Sequence, residues 1–373
     1  MGYPYVKDLA EIMSPDCEII LDLDQTCFVA AAGAEKRTIK AIHTKSGKFE
    51  IFKNRTEFWG SGKKAIGGWL KDSNTNREMA AMKAGKTFRP LGREDFTIED
   101  IQTPEPVENC LHLLKVKINA ILEHMQCENG VGVLGGEGNF RLVLPTPEIY
   151  KGNREDTLRP LLLADTREYV KKKYGAVVID GIEADDYLTM KQWEGWQHYQ
   201  RTGKFNKIVA SFDKDQVQCP GLIFNTMRET DKGRESGWKH PQPMLIDDSM
   251  GEVWMEKGKV KGWGKKFFGY QMLFGDTSDN VKPYQNFDIK FGEGAAFKVI
   301  SPCDTEADMW AAIVDTYKGW FPDGVEFVDH SGVERKFTAG QWASVIFQLV
   351  YMKRWEGDET SLTTKLREVG LIK

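Results

Sequence analysis

The stretch Cys17 to Phe28, CEIILDLDQTCF, decides how this chain is read. Ile19, Ile20 and Leu21 form an apolar run too short for a helix and without polar alternation, which predicts a strand buried on both faces and ending in Asp22 and Asp24. Similar runs follow at Val131 to Leu134, Ala176 to Ile179, Lys207 to Ala210 and Leu222 to Phe224. Between them, Val107 to Met125 places Leu111, Leu114, Ile118, Ile121 and Leu122 at helical spacing, and Leu161 to Tyr174 and Asp185 to Tyr199 read the same way. Strands alternating with helices predict an α/β fold, a central mostly parallel sheet flanked by helices.

The composition suits that reading. At 373 residues, with 41% hydrophobic and 28% charged, the chain has the make-up of a globular protein, which excludes disorder as its main state. A formal net charge of −4 argues against a uniformly basic nucleic-acid coat but leaves room for a local basic face. No apolar run reaches the ~18 residues of a membrane span and the start has no signal-peptide core, so a cytoplasmic protein without membrane partners is expected. The six cysteines form no CxxC pair and the six histidines no HExxH or HxH spacing; the thiols are expected to be buried, and any metal to be held by oxygen.

Two stretches break the alternation. From Lys36 to Lys64, nine Lys or Arg face only Glu50 and Glu57, interleaved with Phe49, Phe52, Phe58 and Trp59; from Lys257 to Tyr270, five lysines including Lys265 and Lys266 alternate with Trp263, Phe267, Phe268 and Tyr270. Basic groups with stacking rings suit single-stranded nucleic acid. Solvated hairpins whose aromatics fill a core explain the same pattern.

The acids carry the chemistry. In open parallel sheets, ligands bind beyond the carboxyl ends of the strands. Four acidic groups belong there: Asp22 and Asp24; Glu183, Asp185 and Asp186 in GIEADDYL; Asp213 and Asp215 in ASFDKDQ; and Asp276 with Asp279 in LFGDTSDN. On a helix, the three-residue spacing of Glu183 and Asp186, and of Asp276 and Asp279, turns each pair one way. So many carboxylates in one cleft take up protons unless cations neutralise them. All-oxygen donors select Mg²⁺ or Mn²⁺, and the excess of acids suggests two ions, the arrangement that serves phosphodiester hydrolysis.

In chain order, Tyr150-Lys151-Gly152-Asn153-Arg154, Gly181-Ile182-Glu183-Ala184-Asp185-Asp186, Ser211-Phe212-Asp213-Lys214-Asp215 and Gly275-Asp276-Thr277-Ser278-Asp279-Asn280 resemble the motifs of the flap endonuclease, or 5′-nuclease, family, and most of all its bacteriophage 5′ to 3′ exonucleases. The resemblance implies a PIN-like α/β core that hydrolyses DNA, and RNA in hybrids, from free 5′ ends or at 5′ flaps with two Mg²⁺ or Mn²⁺. It makes Asp22 the strand-one metal ligand, Glu183, Asp185 and Asp186 the main holders of the first ion, and Asp213, Asp215, Asp276 and Asp279 holders of the second. Lys151 and Arg154 take the family's basic position over the scissile phosphate, beside Tyr150. Arg159, Arg167 and Lys171 to Lys173 fall where the family has a helical arch, here short. Gly275 to Ile300 corresponds to a helix-three-turn-helix that grips duplex backbone, with Gly292, Gly294, Lys265 and Lys266 as candidate contacts.

The sequence departs from the family in three places. Val281 to Lys290 interrupts the compact hairpin that often holds a K⁺ ion. Gly136 stands where the family usually supplies an Asp, leaving the neighbouring Glu137 as the acid that could reach in. The segment 36–106 is an insertion, expected to extend the DNA-binding surface. The organisation expected is a catalytic domain over 1–254 and a DNA-binding domain over 255–373.

Two other readings compete. Asp22-Leu23-Asp24-Gln25-Thr26 also fits the DxDxT signature of haloacid-dehalogenase-type phosphatases, with Asp22 as nucleophile and Asp24 as general acid. A DNA-binding protein that keeps the fold without catalysis is the third. The nuclease reading gives every acidic group a task, whereas the phosphatase reading leaves YKGNR, GIEADD and the Asp213–Asp215 pair without one.

Overall fold

The computed structural model describes residues 2–62, 66–128, 130–155, 157–231 and 234–373. Strand β1 (Met13–Asp22) lies in the middle of a sheet, with Ile19, Ile20 and Leu21 almost wholly buried, and its last residue is Asp22. The chain turns at once into α1 (Leu23–Gly33). Asp24, expected on the strand, therefore stands in the first turn of a helix, and the buried Leu23 makes the turn.

Strands β2 (Glu35–His43) and β3 (Phe49–Phe52), helices α2 (Arg55–Trp59) and α3 (Trp69–Lys83), and strand β4 (Phe96–Pro104) come next. Helix α4 (Val107–Met125) has the bounds its spacing predicts and leads to β5 (Gly130–Gly135). After α5 (Leu163–Tyr174), β6 (Val177–Ile179) and α6 (Ala184–Thr202) come β7 (Phe205–Ala210) and β8 (Gly221–Phe224). A hairpin of β9 (Arg228–Asp231) and β10 (Arg234–Trp238) precedes β11 (Met244–Ile246). The rest of the chain carries two hairpins, β12 (Glu252–Glu256) with β13 (Lys259–Trp263) and β14 (Val325–Val328) with β15 (Glu334–Phe337), and helices α7 (Gly264–Phe274), α8 (Glu293–Ile300), α9 (Glu306–Trp320), α10 (Ala339–Val350) and α11 (Leu362–Glu368).

The chain forms two compact units. The first, 1–26, 118–158 and 167–373, holds a six-stranded sheet in the order β11-β8-β7-β1-β5-β6, parallel throughout except for β11 at the edge. Asp22 pairs with Val133 of β5 and Leu21 with Ala210 of β7, so β1, β5 and β7 end side by side. The helices after β13 belong to this unit, rather than forming the separate domain expected over 255–373. The reason is a shared core: Val217, Ile223, Met244 and Ile246 pack in one cluster with Met272, Trp310, Tyr317, Trp342 and Phe347.

The second unit, 27–117 and 159–166, holds the antiparallel sheet β3-β2-β4 and covers the predicted insertion. Phe52 and Phe58 are buried in its core with Ile39 and Leu70, and Trp59, Trp69 and Phe96 pack around them. Three of the cations in the expected basic surface are neutralised by ion pairs. Arg37 meets Glu35, Lys40 meets Glu99 at 3.2 Å, and Arg55 grips both oxygens of Asp100, whose strand β4 lay outside the stretch read as basic. Lys63 and Lys64 lie outside the described residues. Among the described residues no helix is long and apolar enough to cross a membrane. All six cysteines are buried and free, as expected.

Candidate active site

The carboxyl ends of β1 and β7 bring the first acids together. Ser211, next after β7, donates its hydroxyl to Asp22 Oδ2 at 2.9 Å and accepts the Asp213 N–H at 3.1 Å, so one hydroxyl ties both acids to the sheet edge. Asp213 then caps a short 3-10 turn through the Asp215 N–H at 2.8 Å. Asp215 accepts from the Gln271 amide at 2.6 Å, a contact that joins α7 to the site. Asp185 lies in the first turn of α6, directly beyond β6.

None of Asp22, Asp185, Asp213 and Asp215 is in a salt bridge among the described residues, and their carboxyl groups respond accordingly. Burial pushes Asp22 up to about 6, opposed by the Ser211 hydroxyl. Burial and the neighbouring Asp213 push Asp215 up to about 8. Asp185 is raised well above the carboxylate range by burial, then by Asp213 and Asp22, and Asp213 is raised by burial and by Asp279. Each of these groups feels the charge of another, which is how like charges gathered in a poorly solvated place behave.

The remaining acids are held by cations. Lys151 Nζ lies 2.5 Å from Glu183 Oε1 and 3.6 Å from Asp279 Oδ2, and Arg154 binds the other Asp279 oxygen. The buried Tyr150 donates its hydroxyl towards both Glu183, at 3.0 Å, and Asp279, at 3.1 Å. Lys214 meets Asp276 at 2.7 Å; burial works against ionisation of Asp276, but this partner outweighs it and the pKa falls. Burial likewise opposes the charge of Lys151, yet Glu183 and Asp279 raise its pKa overall. Lys151 itself adopts a left-handed backbone, φ 57°, that lets its N–H reach the Asp279 carbonyl at 2.9 Å. Asp276 and Asp279 do not form the same-facing helical pair their spacing predicts. Asp276 caps a 3-10 turn whose last residue is Asp279, and each answers a different cation.

Several expected residues stand apart from this group. Asp186 is fully buried and engaged on both oxygens by Arg141. Glu137 is exposed; its N–H donates to Asp180 at 2.8 Å, and a Cβ built on Gly136 would collide with the same Asp180 oxygen. Asp180 therefore fills the space that a side chain at 136 would need. Arg159 belongs to the second unit, where its carbonyl accepts from Gln102 at 2.8 Å. Lys265 pairs with Glu306 at 2.6 Å, and Lys266 donates to the Ser301 carbonyl at 3.0 Å. Gly292 caps α8 and Gly294 lies in its first turn, where Glu293 already supplies a carboxylate bonded to the Tyr270 hydroxyl. Phe267 and Tyr270 are buried, so the second basic stretch is a hairpin and helix whose rings fill the core. The inserted 281–290 does the same with Val281 and Tyr284, while Trp342 bonds the Pro283 carbonyl.

The sequence analysis assigned no role to Arg141 and gave Asp24 a chemical one. The structure shows Arg141 to be a buried hub and Asp24 a structural clamp that accepts from the Gly135 N–H at 2.5 Å and from Arg167. An arginine inside the apolar run FRLVLP was the available signal for the first.

A divalent cation can be tested against these residues. Among the described residues no three His, Cys, Asp or Glu side chains stand in ready ligand geometry. The donor set nonetheless fits: four all-oxygen, unpaired carboxylates raise one another's pKa values, and a hard dication is the group that relieves such repulsion.

No family model matches the chain, and no curated protein matches it. Among solved structures it is similar to a bacteriophage T5 protein co-crystallised with metal ions, at 14% identity and a TM-score of 0.39, covering 69% of this chain and 85% of that one. It is also similar to a mutant of the T5 5′-exonuclease, at 12% identity and a TM-score of 0.35, covering 69% and 84%. A third is a T5 flap endonuclease in a pseudo-enzyme–product complex with DNA and metal ions, at 13% identity and a TM-score of 0.34, covering 64% and 90%.

Proposed function

We propose that the chain is a divalent-metal-dependent 5′ nuclease that hydrolyses phosphodiester bonds of DNA near free 5′ ends or flaps. The observation that carries this reading is the quartet Asp22, Asp185, Asp213 and Asp215, unpaired carboxylates gathered beyond the strand ends and flanked by Lys151 and Lys214. In this reading the quartet holds two Mg²⁺ or Mn²⁺ ions, with Glu183, Asp276 and Asp279 beside it. When bound, the ions would supply Lewis acidity and charge neutralisation at the scissile phosphate. Lys151 and Arg154, at the two ends of one 3-10 turn and both meeting Asp279, would offer two cations to a phosphate oxygen that gains charge. Tyr150, bonded to Glu183 and Asp279, keeps those two acids aligned.

The phosphatase reading asks Asp24 to give a proton. Asp24 instead has both oxygens engaged, Oδ2 by the Gly135 N–H and Oδ1 by Arg167, so neither faces a leaving group. The test is cleavage of 5′-labelled flap, nicked and blunt duplexes in Mg²⁺, beside p-nitrophenyl phosphate and an RNA–DNA hybrid. Products ending in 5′ phosphate are expected; hydrolysis of p-nitrophenyl phosphate with every duplex left intact would overturn the proposal.

A further inference from the structure

Asp186 and Arg141 are both completely buried, and every hydrogen-bonding site of the pair is accounted for. Arg141 Nη1 bonds Asp186 Oδ2 at 2.6 Å and Nη2 bonds Oδ1 at 2.9 Å, a forked pair. Its remaining donors reach the Leu349 carbonyl at 3.1 Å and the Tyr351 carbonyl at 2.7 Å, and Nη1 also lies 3.4 Å from Glu183 Oε2. Asp186 takes two further bonds, from the Lys353 N–H at 3.0 Å and the Glu183 N–H at 3.2 Å. A carboxylate has about four lone-pair sites, and four donors occupy them here. A buried ion pair survives only when such bonds complete it.

We propose that Asp186 is not a metal ligand but, with Arg141, a strut that fastens the first turn of α6 to the segment 349–353. Arg141 is then a positioning residue: it acts through Asp186 and Glu183, setting where Glu183 and Asp185 sit. This rests on the nuclease reading for its consequence at the metal, but not for the strut itself. The pairing also explains why the end of α10 belongs to the catalytic unit: its last carbonyls complete the shell of a charge that opens α6.

The test compares full-length Asp185→Asn and Asp186→Asn by Mn²⁺ titration, read from the free-ion EPR signal, and by amide hydrogen exchange. Asp185→Asn should weaken Mn²⁺ binding tenfold or more and leave exchange at 349–353 unchanged. Asp186→Asn should keep the stoichiometry, shift affinity less than about threefold, and speed exchange at both 183–188 and 349–353. An Asp186→Asn protein that loses Mn²⁺ as Asp185→Asn does, with 349–353 still protected, would overturn the strut. If that variant does not fold, Arg141→Met combined with Asp186→Leu removes both charges together, a change buried pairs often tolerate; a folded double variant must again bind Mn²⁺ within about threefold, and a tenfold loss counts against the proposal. Should wild type bind no Mn²⁺, the nuclease reading fails, while the exchange comparison still decides the strut.

Discussion

Raising the pH from 4 to 9 in EDTA should progressively destabilise this protein, and the site explains why. Burial lifts the Asp22 carboxyl from its ordinary 3.8 to about 6, and burial with Asp213 lifts Asp215 from 3.8 to about 8. A folded-state pKa above the unfolded value means that the proton favours the folded chain. That contribution is whole below about pH 4, begins to fade as pH passes the unfolded value, and is gone once it has climbed through about 6 for Asp22 and about 8 for Asp215. A tenfold change in proton affinity is worth ~1.4 kcal/mol, and neighbouring groups release their protons as a set, so the transition as a whole is worth on the order of 5 kcal/mol. For a unit of this size that is a fall in Tm on the order of 10 °C. Differential scanning calorimetry at half-unit pH steps measures it, with a parallel series in millimolar Mn²⁺, where the slope should flatten because a dication takes over the proton's role. A Tm in EDTA that stays level or rises between pH 5 and 8 would refute the electrostatic reasoning, and with it the case for the metal.

Asp213→Asn should abolish cleavage and leave duplex affinity within about threefold, measured by fluorescence anisotropy; in EDTA at pH 8 it should raise Tm, because it deletes one of the repelling charges. Lys151→Met removes the ammonium shared by Glu183 and Asp279, so kcat should fall at least tenfold while the apo-protein loses stability at neutral pH, read by single-turnover kinetics and urea unfolding. Phe58→Ala opens the core of the second unit and should cost ~3–5 kcal/mol there, seen as faster hydrogen exchange across 39–58. Deleting 36–106 should weaken DNA binding with cleavage at saturating substrate preserved, but the loss in salt slope should be small, since Glu35, Glu99 and Asp100 already answer Arg37, Lys40 and Arg55.

The sheet was legible because its strands are buried on both faces, and such runs leave an unmistakable apolar mark: 19–21, 131–134 and 207–210 all fall within strands. The helix 107–125 was equally clear from its stripe. Charges read more poorly. The basic excess of 36–64 shrinks once β4 brings Glu99 and Asp100 alongside Lys40 and Arg55, a pairing fixed by antiparallel register across more than fifty residues and invisible to any local window. The acids divided for a similar reason. The family resemblance grouped Asp185 with Asp186 on one ion, whereas adjacent residues of a helix point about 100° apart, so one enters the polar cleft and the other the buried interface with 349–353.

The close approach at Gly136 has a bearing on how such a chain can change. Introducing an acid at 136 drives its first side-chain carbon into the Asp180 carboxylate and to 2.8 Å from the Ile179 carbonyl. The first obstacle is a side chain and can be mutated away; the second is backbone and must shift. Positions 136 and 180 are therefore coupled: an acid at 136 requires the Asp180 side chain to turn away or be trimmed, and the Ile179 carbonyl to move as well.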